Sequence, residues 1–300
     1  MISVEPKNLL GPMRLPFLVL PPACVLLGVG TAVWTQGRIS IFHALLALVG
    51  ATAAHISVNA FNEYFDYKSG LDLRTQRTPF SGGSGALPAH PGLARYALTI
   101  GLVCLALTAL IGLYFLTVWG LALLPLGLLG LLVVFFYTKW LTRFPFLCLI
   151  APGLGFGTLM VVGTDLVLTG SYTWTAFAAS LIPFFLVSDL LLLNQFPDVE
   201  ADRSIGRRHY PIVLGRQKAS ILYGTFLALA YLSLILGVVL RLLPLAALLG
   251  LLTIPLAIRT ARGAHRHADD MEQLVPLMGL NVLITILTPV LTAVGLLIAA

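Results

Sequence analysis

Uncharged apolar stretches about as long as a bilayer is thick recur along this chain, and they restrict its fold more than any other feature. Residues 15–37, 39–62, 144–164, 166–188, 219–240 and 274–300 contain no Asp, Glu, Lys or Arg. Each reaches or approaches the roughly 20 residues that carry a helix across a hydrocarbon layer. A shorter run, 242–258, still lies inside the spanning range, and 96–138 is long enough for two crossings that turn near Tyr114–Gly120. The runs are continuous rather than alternating, which selects helices over barrel strands. Only 10% of residues are charged and 58% are hydrophobic, against about 25% charged in soluble domains. The expected fold is an all-α polytopic membrane protein with about nine spans around a central cavity, a single membrane domain over 1–300.

Charge placement orients the spans. With nine crossings and the N-terminus inside, 16 of the 18 basic residues fall on one side, and only Arg38 and Arg241 on the other. That asymmetry predicts a cytoplasmic N-terminus in the inner (plasma) membrane. The net charge of +6 is then a matter of topology and no nucleic-acid partner is expected. Glu5 near the start, and a first run long enough to stay as an anchor, argue against a cleaved leader. Cys24, Cys104 and Cys148 lie within spans without metal-ligand spacing and read as small apolar residues.

Two acidic stretches sit where hydrocarbon ends. "NAFNEYFDYKSGLD" (59–72) closes the second span and "LLLLNQFPDVEAD" (190–202) the sixth. Four crossings separate them, so both face the same side, and each opens a long polar loop. The spacing is compatible with a duplicated four-helix half, although no further internal similarity accompanies it. Asn62 and Asp66 are four apart, as are Asn194, Asp198 and Asp202, which places them a turn apart on one helical face, with a kink expected at Pro197. Asp72, beyond Gly70, reads as a loop residue folding back.

A single Asp at a span end is ordinarily a solvated rim. Two matched Asn-x-x-x-Asp clusters point instead to Mg²⁺, which takes one or two carboxylates and completes its shell with substrate phosphates. Lys68, Arg74, Arg77, Arg203, Arg207 and Arg208 stand close behind and are candidates for neutralising a diphosphate. A diphosphate site opening into a membrane cavity calls for a substrate with a lipid tail, such as a polyprenyl diphosphate. Its ionisation leaves an allylic cation to be shielded by π faces, for which Phe61, Tyr64, Phe65, Phe135, Phe136, Tyr137 and Phe196 are candidates.

At this point the motifs resemble a known family. "NEYFDYKSGLD" and "NQFPDVEADRSIGRRHYPIVLG" are similar to the two Asp-rich motifs of the UbiA superfamily of intramembrane prenyltransferases, and the second is most like its MenA branch, which prenylates 1,4-dihydroxy-2-naphthoate for menaquinone. The resemblance implies Mg²⁺ held by Asn62, Asp66 and Asp72 in the first motif and by Asn194, Asp198 and Asp202 in the second. Asp66, Asp198 and Asp202 are the strongest candidates for catalytic metal ligands. "FFYTKW" resembles the family's Tyr/Lys segment, which implies Tyr137 and Lys139 near the diphosphate. "RTPFSGGSGALP" stands where relatives carry a loop capping the cavity. Glu63 departs from the Asp of many relatives, keeping a carboxylate on a longer reach.

The expected partners are thus a polyprenyl diphosphate, an aromatic acceptor and the lipid bilayer. Other acceptors (4-hydroxybenzoate, homogentisate, a chlorophyll precursor, haem, a glycerol phosphate) fit the same motifs. A transporter with charged gates is the rival from another class, and it would need ionisable residues in mid-span, where only Asp189 intrudes. Asp189 is a candidate for orienting the acceptor or relaying a proton, or it is satisfied by a neighbouring helix. His43 and His55 read as hydrogen-bonded interior residues. "AHRHADD" (264–270) reads as a solvated charged loop rather than a metal site.

Overall fold

The computed structural model describes residues 9–300, so Glu5, on which the leader argument rested, and Lys7, counted among the inner basic residues, lie outside the described residues. After turns beginning at Gly11, the chain forms α1 (Leu20–Gln36), α2 (Ile41–Ser69), α3 (Ala94–Trp119) and α4 (Leu124–Phe136). There follow α5 (Pro145–Thr169), α6 (Trp174–Asn194), α7 (Arg216–Val239), α8 (Leu245–Arg266) and α9 (Met271–Ala299). Eight helical stretches among the described residues are long and apolar enough to cross a bilayer, and one of these, Pro91–Phe136, contains both α3 and α4. The expected count of nine depends on that division.

The division is physical. Gly120 adopts φ 73° and ψ −164°, a region closed to residues with a Cβ, and the helix stops there. Side-chain contacts show that the chain reverses. The Tyr114 hydroxyl, near the end of α3, lies 3.2 Å from His43 Nε2 at the start of α2, and the Trp119 indole N–H donates to the Val167 carbonyl at 2.9 Å. Phe135, at the end of α4, instead meets Phe61 near the end of α2, with ring centroids 5.8 Å apart. α3 and α4 therefore run in opposite directions.

Local chemistry starts the helices where the sequence changes character. Ser40, Thr173 and Asp270 are N-caps whose side chains accept the backbone N–H three residues on, at 3.3, 3.0 and 3.2 Å. The first acidic motif is still helical, because α2 continues to Ser69, a turn and more beyond its uncharged run.

The bundle has a dense side and a thin side. α6 is its centre: 14 of its 21 residues are buried, and it packs with α1, α5, α7 and α9 into the largest hydrophobic cluster. α5 reaches it by an irregularity. Pro152 cannot donate a backbone hydrogen bond, and the following Leu154–Val162 is π-helical. Gly153 and Gly157 then lie so close to α6 that an added Cβ would collide with the Phe184 carbonyl oxygen and the Phe184 nitrogen respectively. Such backbone-to-backbone approach is how membrane helices gain dispersion energy without a hydrophobic drive between them. α4, by contrast, has no buried residue.

Gly157→Val should therefore destabilise the fold by about 1–3 kcal/mol through overpacking, read as a lower thermal midpoint in detergent. Gly127→Ala, which meets nothing within 4 Å, should leave the midpoint unchanged.

Candidate active site

A cavity of about 530 Å³ opens between α1 to α6, within the usual range for small-molecule sites. One mouth carries Asn62, Asp66, Asp72, Asn194, Asp198 and Asp202, and the far end reaches Phe115, Leu123 and Val167. On α2 alone the lining residues run from Ala47 to Asp66, about 28 Å of helix rise. The chamber thus extends through most of the bundle, polar at one end and apolar beyond.

Each motif reaches that mouth by a different route. α2 presents Asn62 and Asp66 a turn apart and ends at Gly70 (φ 76°), whose N–H bonds back to the Asp66 and Tyr67 carbonyls. The reversal brings Asp72, in a short 3₁₀ turn, back to the wall, as its position after Gly70 predicted. In the second motif α6 stops at Asn194, and a short helix, Val199–Ser204, starts after Asp198. The break at Pro197 is complete rather than a kink. Even so, the Asp202 N–H donates to the Asp198 carbonyl at 2.8 Å, so these two residues stay a turn apart.

One guanidinium joins the two motifs. Arg207 is ion-paired with Asp66 of the first and, at 2.8 Å, with Asp202 of the second, whose other oxygen lies 3.0 Å from His209 Nε2. Burial alone would raise the Asp202 pKa, but Arg207 and His209 outweigh it and hold this carboxyl below its ordinary value. Arg207 is in turn raised by Asp66 and Asp202 against the effect of its burial, and stays charged. Asp198 and Asp72 have no such partner. Burial first, and the carboxylates around them second, push each up to about 7. Burial likewise raises the Tyr137 phenol well above its usual range, so it stands on the wall as a neutral donor.

Asp72 Oδ2, Asn194 Oδ1 and Asp198 Oδ1 are buried without a hydrogen-bond partner. Three orphaned oxygens at one mouth fit a hard cation. Among the described residues no three acidic, His or Cys side chains converge closely enough to enclose an ion alone.

Of the six basic residues expected to face a diphosphate, only Arg207 lines the cavity. Lys68, Arg74, Arg77, Arg203 and Arg208 are exposed: Lys68 lies over the Tyr64 ring, Arg74 donates to Ser204, and Arg203 pairs with Glu200. Lys139 is also exposed and off the wall, while its neighbour Tyr137 is on it. These side chains follow the loops into water; Arg207 turns inward just after Gly206 (φ 83°). The aromatic lining differs too. Of the expected rings only Tyr137 faces the cavity, which is otherwise lined by Phe17, Phe80, Phe115 and Phe156. Phe61 instead packs against Gly101, and Phe196 is wholly buried in the core. Asp189 is buried off the cavity wall, its backbone carbonyl facing Asn281. His265 bonds Ser220 at 2.9 Å and Asp269 pairs with Arg216, which makes "AHRHADD" a clasp onto α7.

Sequence reasoning missed Arg14 and the direction of Glu63. Arg14 lies on the wall in a left-handed conformation (φ 50°), rare for a residue with a side chain, and its Nε pairs at 2.8 Å with Glu63. Glu63 is fully buried and also accepts from Ser84 N and Ser84 Oγ, each at 2.7 Å. It thereby ties the Gly-rich loop, whose Phe80, Ser81, Gly82 and Gly83 line the mouth, to both α2 and the chain entering α1. Glu63 carries no cavity-lining surface, and the only hint of its role in the sequence is its extra methylene.

Membrane-length helices among the described residues, with an apolar chamber among α1 to α6 that opens at an acidic mouth, define a polytopic membrane protein with the architecture of an intramembrane enzyme. The fold is that of a UbiA homologue from Aeropyrum pernix K1 (TM-score 0.69, 18% identity, 94% of this chain and 98% of that one). A UbiA homologue from Archaeoglobus fulgidus, solved bound to DMAPP and Mg²⁺, matches with TM-score 0.61 at 16% identity over 96% and 99% of the chains. Residues 20–298 match the UbiA prenyltransferase family, to which this chain belongs; it is a prenyltransferase. It is 29% identical over 273 residues to the 1,4-dihydroxy-2-naphthoate octaprenyltransferase of Mycobacterium tuberculosis (strain ATCC 25618 / H37Rv), covering 89% of this chain and 88% of that one. The enzyme of the same name from Bacillus subtilis (strain 168) is 28% identical over 212 residues, 69% of this chain and 66% of its own length.

Glu63→Ala should release the loop it holds. Amide hydrogen exchange over residues 78–85 is expected to accelerate at least tenfold, with exchange in α6 unchanged.

Proposed function

We propose that this chain transfers a polyprenyl group from its diphosphate to a carbon of 1,4-dihydroxy-2-naphthoate, with Mg²⁺, at the cytoplasmic face of the plasma membrane. The observation that carries the reading is the junction of the two acidic motifs at one mouth of a deep apolar chamber. The relatives named for the naphthoate reaction support the acceptor, and the homologue bound to DMAPP and Mg²⁺ supports the donor and the ion. The placement of the basic residues around the N-terminal side supports the orientation.

Asn62, Asp66, Asp72, Asn194, Asp198 and Asp202 would hold the ion. Once bound, Mg²⁺ would supply Lewis-acid stabilisation of the departing diphosphate. The remaining steps belong to the chain. Arg207 and Arg14 provide positive charge at the mouth, and Tyr137 donates a hydrogen bond to a phosphate oxygen. The apolar chamber takes the tail and excludes water while the C1–O bond breaks. The electron-rich acceptor carbon then forms the new bond to C1, and a proton leaves the ring. Phe80, on the Gly-rich loop at the mouth, offers a π face to the cationic carbon.

The decisive assay is prenyl transfer by purified protein in detergent, supplied with geranylgeranyl diphosphate, with and without Mg²⁺, and with dihydroxynaphthoate beside 4-hydroxybenzoate and homogentisate. Metal-dependent product with dihydroxynaphthoate alone is expected. Asp66→Asn and Asp198→Asn should each reduce turnover at least a thousandfold; Asp198→Asn, which breaks no ion pair, should keep the thermal midpoint within a few degrees of wild type, and turnover that survives both changes removes the metal assignment. Metal uptake displaces protons from Asp72 and Asp198, whose pKa values stand at about 7. Mg²⁺ affinity should accordingly weaken as pH falls from 8 to 6, by up to about tenfold per pH unit for each proton displaced, measured by titration calorimetry.

A further inference from the structure

His55 is a titratable side chain deep on the cavity wall, outside both motifs and away from the charged mouth. It lies on the α2 face that presents Asn62 and Asp66, seven residues before Asn62, about 10 Å deeper along the helix. It is 5% exposed, and its Nδ1 is buried without a partner. The hydrogen-bonded interior role expected from the sequence is therefore not what the structure shows. Its ring packs edge-to-face on Phe156 of α5, with centroids 4.7 Å apart and planes at 82°. Asn59, one turn nearer the mouth on the same wall, is occupied by the Met13 carbonyl at 3.1 Å.

An imidazole left without a partner in an apolar chamber has lost its hydration with nothing in return, and a prenyl tail cannot supply the missing hydrogen bond. A hydroxylated aromatic ring can. Its hydroxyl can exchange a hydrogen bond with the imidazole, and its face can lie against Phe156. Depth agrees. A diphosphate held at the mouth puts its C1 just below the motifs, and the acceptor carbon must approach to about 3–3.5 Å. The far side of that ring then falls about one to two turns deeper, at the level of His55.

We propose that His55 binds a ring hydroxyl of the aromatic acceptor, with Phe156 as the floor on which the ring rests. This deepens the prenyltransferase reading by giving the acceptor its own subsite, separate from the metal-diphosphate head. A site that hydrogen-bonds a hydroxyl rejects analogues lacking it far more strongly than an apolar pocket rejects a methylene. The acceptor is thus chosen at His55, while the head residues choose the diphosphate.

Equilibrium binding tests this without turnover. Wild type, His55→Gln and His55→Leu, in detergent, are titrated with dihydroxynaphthoate, 4-hydroxybenzoate and homogentisate, and separately with Mg²⁺ and pyrophosphate; thermal midpoints monitor folding. For whichever ring wild type binds, His55→Leu is expected to lose at least tenfold in affinity and His55→Gln much less, with pyrophosphate binding within twofold. A purely structural role would shift the midpoint and both ligands together. Unchanged ring affinity in His55→Leu, a parallel loss of pyrophosphate binding, or no ring bound by wild type overturns the subsite. The head reading is judged separately by pyrophosphate binding to wild type, so the two can fail independently.

Discussion

The arrangement depends on one buried guanidinium. α2, and the short helix Val199–Ser204 that follows α6, carry carboxylates that would repel each other across a cavity of low dielectric. Arg207 lies between them and bonds to Asp66 on one side and Asp202 on the other. Removing one member of such a buried pair generally costs about 3–5 kcal/mol, because the charge left behind is uncompensated. His209 holds the far oxygen of Asp202 and so fixes the direction in which that carboxylate presents itself. With the two helix ends drawn together, the space below them becomes a chamber with a charged mouth instead of an open cleft.

The mouth is then closed from a third direction. Glu63 points away from the cavity and holds Arg14 and Ser84, so a single carboxylate fixes the start of the first crossing and the Gly-rich loop. The two motifs therefore divide their acids by task. Asp72, Asn194 and Asp198 keep unpartnered oxygens at the mouth, whereas Glu63 has its oxygens fully engaged in holding the cover. Unsatisfied and satisfied carboxylates a few residues apart have opposite effects: the first are sites in waiting, the second is a structural pin.

Much of this was legible in the sequence, and what was not has physical causes. Apolar run lengths and the basic asymmetry gave the crossings, including the turn at Gly120, because a bilayer leaves a chain few alternatives. The four-residue spacings gave Asn62, Asp66, Asn194, Asp198 and Asp202, all of which reach one cavity. The basic residues could not be ranked in this way. Arg203 faces water from the short helix, and Arg207 and Arg208 differ only in how the loop turns after Ser204, which sends Arg207 inward and leaves Arg208 in water. The aromatics failed for a related reason: position along a helix gives depth, but the face depends on neighbours such as Gly101, which admits Phe61 away from the chamber. His55 was visible as a mid-span imidazole, but only the packing shows that it has no partner.

The unequal sides of the bundle have a consequence for how sequences with this fold diverge. Around α6, where Gly153 and Gly157 meet the backbone of Phe184, almost any change of volume is an error in packing. On α4, which buries nothing yet lends Leu124, Gly127, Leu128, Gly130 and Leu131 to the chamber wall, side chains can be exchanged at little cost in stability. Inheritance is therefore strict where the bundle is welded and permissive where it is merely a curtain. A lineage can resize what its chamber holds through drift in one lipid-facing helix while the head that performs the chemistry stays as it was.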